Sequence, residues 1–129
     1  MLVSLPVRDV MTRTVETVDV DATAAAVARR IAASEHTSVV VCDGREPAGI
    51  VTESDVVRLY DVARDTPVTE FMSADLVTVG PDDPVERAAE ILGEHDVRRL
   101  PVVEGGRIVG IVTTTDIAYY LPHAVRDRQ

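Results

Sequence analysis

Two hydrophobic periods alternate along the chain, and they do so twice. Ala24, Val27, Ala28 and Ile31 fall at i, i+3, i+4 and i+7, the spacing of one helical face, and Val85, Ala88, Ala89 and Leu92 repeat it. A short β-branched stretch precedes each helix, Glu16-Thr17-Val18 in one case and Val77-Thr78-Val79 in the other. Asp82-Asp83-Pro84 predicts an acidic cap and a first-turn proline for the second of these helices. Two nearly continuous apolar runs follow each helix: Ser38–Cys42 and Ala48–Thr52, then Leu100–Val103 and Ile108–Thr113. They are joined at Asp43-Gly44 and at Gly105-Gly106, where glycine permits a tight hairpin turn. A closing helix is predicted over 53–62 and again over 114–121. The predicted order is strand, helix, strand, strand, helix, twice over, in an α/β fold.

The recurrence extends to the residues themselves. Shifted by 61 positions without a gap, Val7–Asp55 aligns on Val68–Asp116 with thirteen identities in 49 positions. Met11/Met72, Thr17/Thr78, Val18/Val79, Asp21/Asp82 and Gly44/Gly105 match, and Gly49-Ile50-Val51-Thr52 lies over Gly110-Ile111-Val112-Thr113. This is a tandem duplication, with residues 1–64 as the first repeat, 65–129 as the second, and Arg64-Asp65-Thr66-Pro67 as a short linker. A single repeat of about 60 residues with few large side chains has a marginal core. Strands as apolar as Val39-Val40-Val41 are expected to be covered on both faces. The two repeats are therefore expected to form one module.

Gly-Ile-Val-Thr-x-x-Asp, present as Gly49–Asp55 and Gly110–Asp116 and preceded each time by an apolar hairpin strand, resembles the signature of the tandem CBS domain, named for cystathionine β-synthase. Arg99-Leu100-Pro101-Val102-Val103 resembles the strand that precedes this motif in the family, and Thr78-Val79-Gly80-Pro81-Asp82-Asp83 its first strand and helix entry. The resemblance covers residues 5–121. It implies two repeats packed about a pseudo-twofold axis, leaving two clefts, and a regulatory role as a sensor of AMP, ADP, ATP or S-adenosylmethionine. It also implies pairing of modules, hence a homodimer. Only Pro122–Gln129 follow the stretch that the resemblance covers, so the regulated protein is expected to be a separate chain. No reaction and no resident cofactor are expected, the adenosine compound being a regulatory ligand.

Thr52-x-x-Asp55 and Thr113-x-x-Asp116 fall where a strand gives way to a helix, and two readings fit them. One is a capping box, in which threonine and carboxylate satisfy backbone N–H groups of the first turn. The other is a ligand site: a helix N-terminus suits a phosphate, and a carboxylate can accept both hydroxyls of a ribose. Ser54 and Thr115 add hydroxyls within reach of a phosphate. By resemblance, Asp55 and Asp116 hold ribose, with Thr52 and Thr113 near ribose or phosphate.

The repeats differ at Arg98-Arg99, which align with Thr37-Ser38. The resemblance makes Arg98 and Arg99 phosphate contacts, a task for which the arginine fork is well shaped; pairing with Asp96 or Glu94 is the alternative. The asymmetry predicts two unequal sites, or one. For an adenine ring, Val77 and Val109, with Val15–Val18 and Ala48 in the first repeat, offer an aliphatic slot, ordinary core packing being the other reading.

Charge narrows the partners. Twenty-two carboxylates stand against 13 basic residues, all arginine, for a net charge of −9. Such a surface repels phosphate backbones and anionic membranes, so neither nucleic acid nor membrane is an expected partner. Abundant acid without lysine resembles a halophile's cytosolic protein, or else the product of a GC-rich genome. The longest apolar runs are far short of the ~20 residues a membrane span needs, and Met1–Pro6 lacks the form of a signal peptide. The one cysteine, Cys42, cannot make an internal disulfide, so a cytoplasmic location is expected; it aligns with Val103 and reads as a small buried hydrophobe. His36, His95 and His123 are scattered, with no metal-ligand spacing, and no catalytic motif occurs. Tyr60, Tyr119 and Tyr120 on the closing helices are candidates for a dimer face. The rival to the sensor is a structural dimerisation module with degenerate, unoccupied clefts.

Overall fold

Hydrogen bonds repeat along the chain at the same interval as the residues. The computed structural model describes residues 5–33 and 38–126. They fall into two compact units, Val15–Leu76 (unit I) and Met1–Thr14 with Val77–Gln129 (unit II).

In unit I, β1 (Thr17–Asp19) runs parallel to β2 (Ser38–Asp43), and β2 pairs antiparallel with β3 (Glu46–Thr52). Helix α1 (Ala24–Ala33) lies between β1 and β2 in sequence, and β3 leads into a single turn of helix, α2 (Glu53–Val56), continued as a 3-10 turn over Val57–Asp61. Val27, Val41, Val51 and Val68 form its core, with Ile31, Phe71 and Met72 packed against them. Unit II carries α3 (Val85–His95), the antiparallel pair β4 (Arg99–Glu104) and β5 (Arg107–Thr113), and α4 (Thr114–Arg126). Its core joins Val7, Val10, Val79, Ala88, Ile91, Leu92, Leu100, Val102 and Val112. Both hairpins turn on glycines in the left-handed region, Gly44 at φ 67° and Gly105 and Gly106 at 59° and 80°. Ser38–Cys42 and Leu100–Val102 are buried at every position, as strands covered on both faces must be.

The packed units are offset from the sequence repeats. Residues at the head of the first repeat belong to unit II: the Val7 N–H donates to Asp83 O and the Val85 N–H to Leu5 O, both at 2.8 Å. Sixty-one residues on, the Val68 N–H donates to Ala22 O and the Ala24 N–H to Thr66 O, again at 2.8 Å, within unit I. Thr12 and Ile111 exchange backbone bonds in unit II, and Ser73 and Ile50 do so in unit I. Arg8 pairs with Asp82. Each repeat's leading segment thus completes the sheet and core of the other repeat.

Four expectations need correction. The first strand of the second repeat is reduced to a single parallel bridge, Val79 to Val102. The cause is two prolines. In unit I the Val40 N–H bonds Glu16 O and the Val20 N–H bonds Cys42 O. The aligned residues are Pro101 and Pro81, which have no N–H to give. Second, the buried helical faces are narrower at their alanines: Ala28 and Ala89 are exposed, and α3 buries Ile91 instead. Third, Pro84 occupies the N-cap position rather than the first turn, and Asp83 accepts the Gly80 N–H at 2.8 Å, capping the preceding turn instead of the helix. Fourth, the predicted helix over 53–62 is α-helical for one turn only, where β-branched Val56-Val57 disfavour continuation. Its counterpart α4 passes Pro122 and reaches Arg126; a proline costs a helix one backbone donor and need not end it.

Candidate functional site

Each motif brings its aspartate back over the end of the strand before it. In unit II the Thr113 N–H donates to Asp116 Oδ2 at 3.0 Å, and the Asp116 N–H donates to the Thr113 hydroxyl oxygen at 3.0 Å. That is a reciprocal capping box at the start of α4. In unit I the Thr52 N–H donates to Asp55 Oδ2 at 2.9 Å, and the Thr52 hydroxyl donates to the same oxygen at 3.3 Å. The capping reading therefore holds in both repeats, which leaves the ligand reading to the remaining oxygen of each carboxylate.

Those remaining oxygens differ. Asp55 Oδ1 accepts from Arg58 Nη2 at 3.2 Å, one turn along the chain, and Asp55 is only 5% exposed. Asp116 is half-buried, and its Oδ1 has no hydrogen-bond partner among the described residues. Tyr119 stands where the first repeat has Arg58, and it is 73% exposed. Arg58 escaped the sequence reading, although its i, i+3 position relative to Asp55 on a helix is a legible ion-pair spacing.

Around Asp116 the β4–β5 ladder collects most of the other predicted residues. Arg99 lies directly across from Thr113, and the Thr114 N–H donates to the Arg98 carbonyl at 3.0 Å. Both arginines thus enter β4 beside the turn that Thr113 and Asp116 make. Arg98 is exposed and forms no ion pair among the described residues; Arg99 is half-buried. Asp96, proposed as a pairing partner, closes α3 in the left-handed conformation at φ 51°. Val77 and Val109 are half-buried and pack on the core of unit II. Thr115 is exposed at the start of α4. Val77, Arg98, Arg99, Val109, Thr113, Thr115 and Asp116 accordingly belong to one unit.

Unit I holds Thr52, Ser54 and Asp55, with Ser54 exposed. Buried Ser38 takes the position of Arg99, opposite Thr52 in the ladder, and Thr37 lies outside the described residues. No basic residue enters β2 at Ser38. His36 also lies outside the described residues, and among those described no group of three His, Cys, Asp or Glu is placed to hold a metal ion. Cys42 is buried; burial, and secondarily the Asp19 carboxylate, push its thiol pKa up. No helix among the described residues is long and apolar enough to cross a membrane.

Known proteins share this arrangement. Residues 7–61 and 68–123 each match the CBS domain family model. The CBS domain-containing protein YhcV of Bacillus subtilis is 34% identical over 115 residues, 87% of this chain and 82% of that protein. An A-adding tRNA nucleotidyltransferase of Aquifex aeolicus is 39% identical over 69 residues, which are 54% of this chain and only 8% of that enzyme. Among solved structures, the CBS domain pair of protein MJ0100, in complex with 5′-methylthioadenosine and S-adenosyl-L-methionine, superposes with a TM-score of 0.83. It is 22% identical and covers 93% of this chain and 98% of its own, a likeness of fold. With two family matches at the spacing of its internal repeat, and 87% of its length shared with YhcV at 34% identity, the chain belongs to the CBS domain family, as a tandem pair.

Proposed function

We propose that the chain is a regulatory module that binds an adenosine-containing ligand, AMP, ADP, ATP or S-adenosylmethionine, and passes its occupancy to a separate protein. The observation that carries this reading is the cluster in unit II, where Arg99 faces Thr113 across the ladder and one carboxylate oxygen of Asp116 has no partner among the described residues. An arginine fork suits a phosphate, and a carboxylate oxygen suits a ribose hydroxyl. A protein of the same fold holds two adenosine-class ligands, which supports the ligand class. Val77 and Val109 supply aliphatic surface for a base. Occupancy acts by favouring whichever conformation of the module the ligand binds better, and with it one partner-binding state. The module catalyses no reaction in this reading, works in the cytoplasm, and does so as a homodimer.

A thermal-shift series with adenosine, AMP, ADP, ATP and S-adenosylmethionine in concentrated KCl tests it. A ligand specific for the folded state and present at 100 times its Kd adds about 2.7 kcal/mol, a visible rise in Tm for a chain of this size. If no adenosine compound at millimolar concentration moves the Tm, the structural dimerisation reading replaces this one. That second reading has its own support in the full engagement of Asp55 and in the outward exposure of Val57 and Tyr119.

A further inference from the structure

The two aspartates that the motif repeats are not equivalent acceptors, and the difference lies one helical turn away from each. The inference rests on the ligand reading above and adds to it. We propose that Arg58 closes the first repeat to ribose, so that the chain holds one adenosine-class ligand, at Asp116.

A vicinal diol donates two hydrogen bonds and needs free lone pairs on the carboxylate that receives it. Asp55 has little to offer. Its Oδ2 accepts both the N–H and the hydroxyl of Thr52, and its Oδ1 accepts from Arg58 at 3.2 Å. Its side chain is 7% exposed, so Arg58 is also the counter-charge of a nearly buried carboxylate. Removing Arg58 to admit a neutral diol leaves that charge without its cation, which is costly at such a position. Asp116 is arranged otherwise. Both threonine hydroxyls accept from the backbone N–H of their aspartate, but among the described residues the Asp116 carboxylate receives one bond, from the Thr113 N–H on Oδ2. The residue aligned with Arg58 is Tyr119, whose ring meets the Tyr120 ring edge-on at 5.1 Å and brings no charge. One substitution between the repeats, arginine for tyrosine, separates a closed acceptor from an open one.

Isothermal titration of the full chain with adenosine, which has no phosphate for any arginine to attract, decides the matter. Wild type is expected to bind one adenosine per chain. Asp116→Asn is expected to weaken that binding about tenfold or more, by loss of a charge-assisted bond; asparagine retains a carbonyl oxygen for the Thr113 N–H, so the cap and the melting transition persist. Arg58→Met, at a side chain 73% exposed, is expected to fold with a lowered Tm, since Asp55 loses its cation, and to bind two adenosines per chain. Adding Asp55→Asn to Arg58→Met is expected to return the count to one. Two sites in wild type, or a single site in Arg58→Met, would overturn the role of Arg58 while leaving the ligand reading intact. No adenosine binding by any variant would overturn the ligand reading and this inference together.

Discussion

A methyl group added at Gly49 would collide with the Met72 side chain and approach the Ser73 carbonyl to 3.0 Å; one at Gly110 would meet Met11 Sδ at 2.6 Å and the Thr12 carbonyl at 3.0 Å. The repeated glycine of the motif and the repeated methionine are therefore contact partners, and the space between them belongs to the methionine. Gly49→Ala and Gly110→Ala are each expected to cost about 1–3 kcal/mol by overpacking, read from urea unfolding. Shortening the facing methionine to alanine in the same chain should recover part of that loss. Cys42 makes a prediction of another kind. Its thiol pKa is raised by burial and by Asp19, so the folded state holds the proton at pH values where the unfolded chain releases it. Cys42 therefore contributes stability below the ordinary thiol value of about 8.5 and loses it as pH rises beyond that point. Unfolding free energy measured from pH 7 to 10 is expected to fall more steeply in the native sequence than in Cys42→Val. At the site, the proposed phosphate role of Arg99 predicts that Arg99→Ala weakens AMP and spares adenosine, which has no phosphate; equal losses would refute the phosphate assignment.

At the scale of the element, the exchange of leading segments governs stability. Val7 and Val10 come from the head of the first repeat, yet both are buried in the core of unit II. Deleting residues 1–14 removes these two buried valines, each worth about 1.5–3 kcal/mol of burial, together with the bonds from Val7 and Thr12. The expected loss is about 3–6 kcal/mol, checked by denaturation of the truncated chain. If the repeat 1–64 were instead a self-contained packing unit, the deletion would leave residues 77–126 unaffected, with unchanged amide protection in α3, β4 and β5. Prolines mark the other difference between the repeats. Pro81 and Pro101 were visible in the sequence and are enough to shorten a parallel ladder, a consequence that follows only once Val20 and Val40 are known to donate at the aligned positions.

For the molecule as a whole, charge and exposed apolar surface set the expectations. With a net charge of −9, self-repulsion acts over about 30 Å at 0.01 M salt and about 3 Å at 1 M. The Tm is expected to rise from dilute buffer to molar KCl, as a salt-adapted protein requires; a Tm independent of KCl would make base composition the simpler cause of the missing lysine. Val57 and Tyr119 are 75% and 73% exposed, both just after the motif aspartates. The side chain of Tyr60, expected with Tyr119 and Tyr120 at a dimer face, lies outside what the structure describes. Sedimentation at micromolar to near-millimolar protein is expected to give twice 14.0 kDa, and Tyr119→Glu to shift the equilibrium toward monomer, since a twofold interface presents each substitution twice.

The duplication, the hairpins and the helix-opening aspartates were all legible in the residues, because each rests on local chemistry. Strand burial shows as an unbroken apolar run, a hairpin as a glycine that tolerates positive φ, and a cap as Thr-x-x-Asp. The family followed from the same short-range signals at a fixed interval. Which repeat each leading segment completes was not legible, since Met11 stands 38 residues from Gly49 and 99 from Gly110, and hydrophobic pattern is the same for either partner. Nor was the state of each carboxylate. Thr52-Glu53-Ser54-Asp55 and Thr113-Thr114-Thr115-Asp116 promise the same bonds; the i, i+3 spacing of Asp55 and Arg58 offers an ion pair, but only the fold decides that it forms and on which oxygen. Local geometry is written in adjacent residues, whereas the choice among distant partners is made by packing.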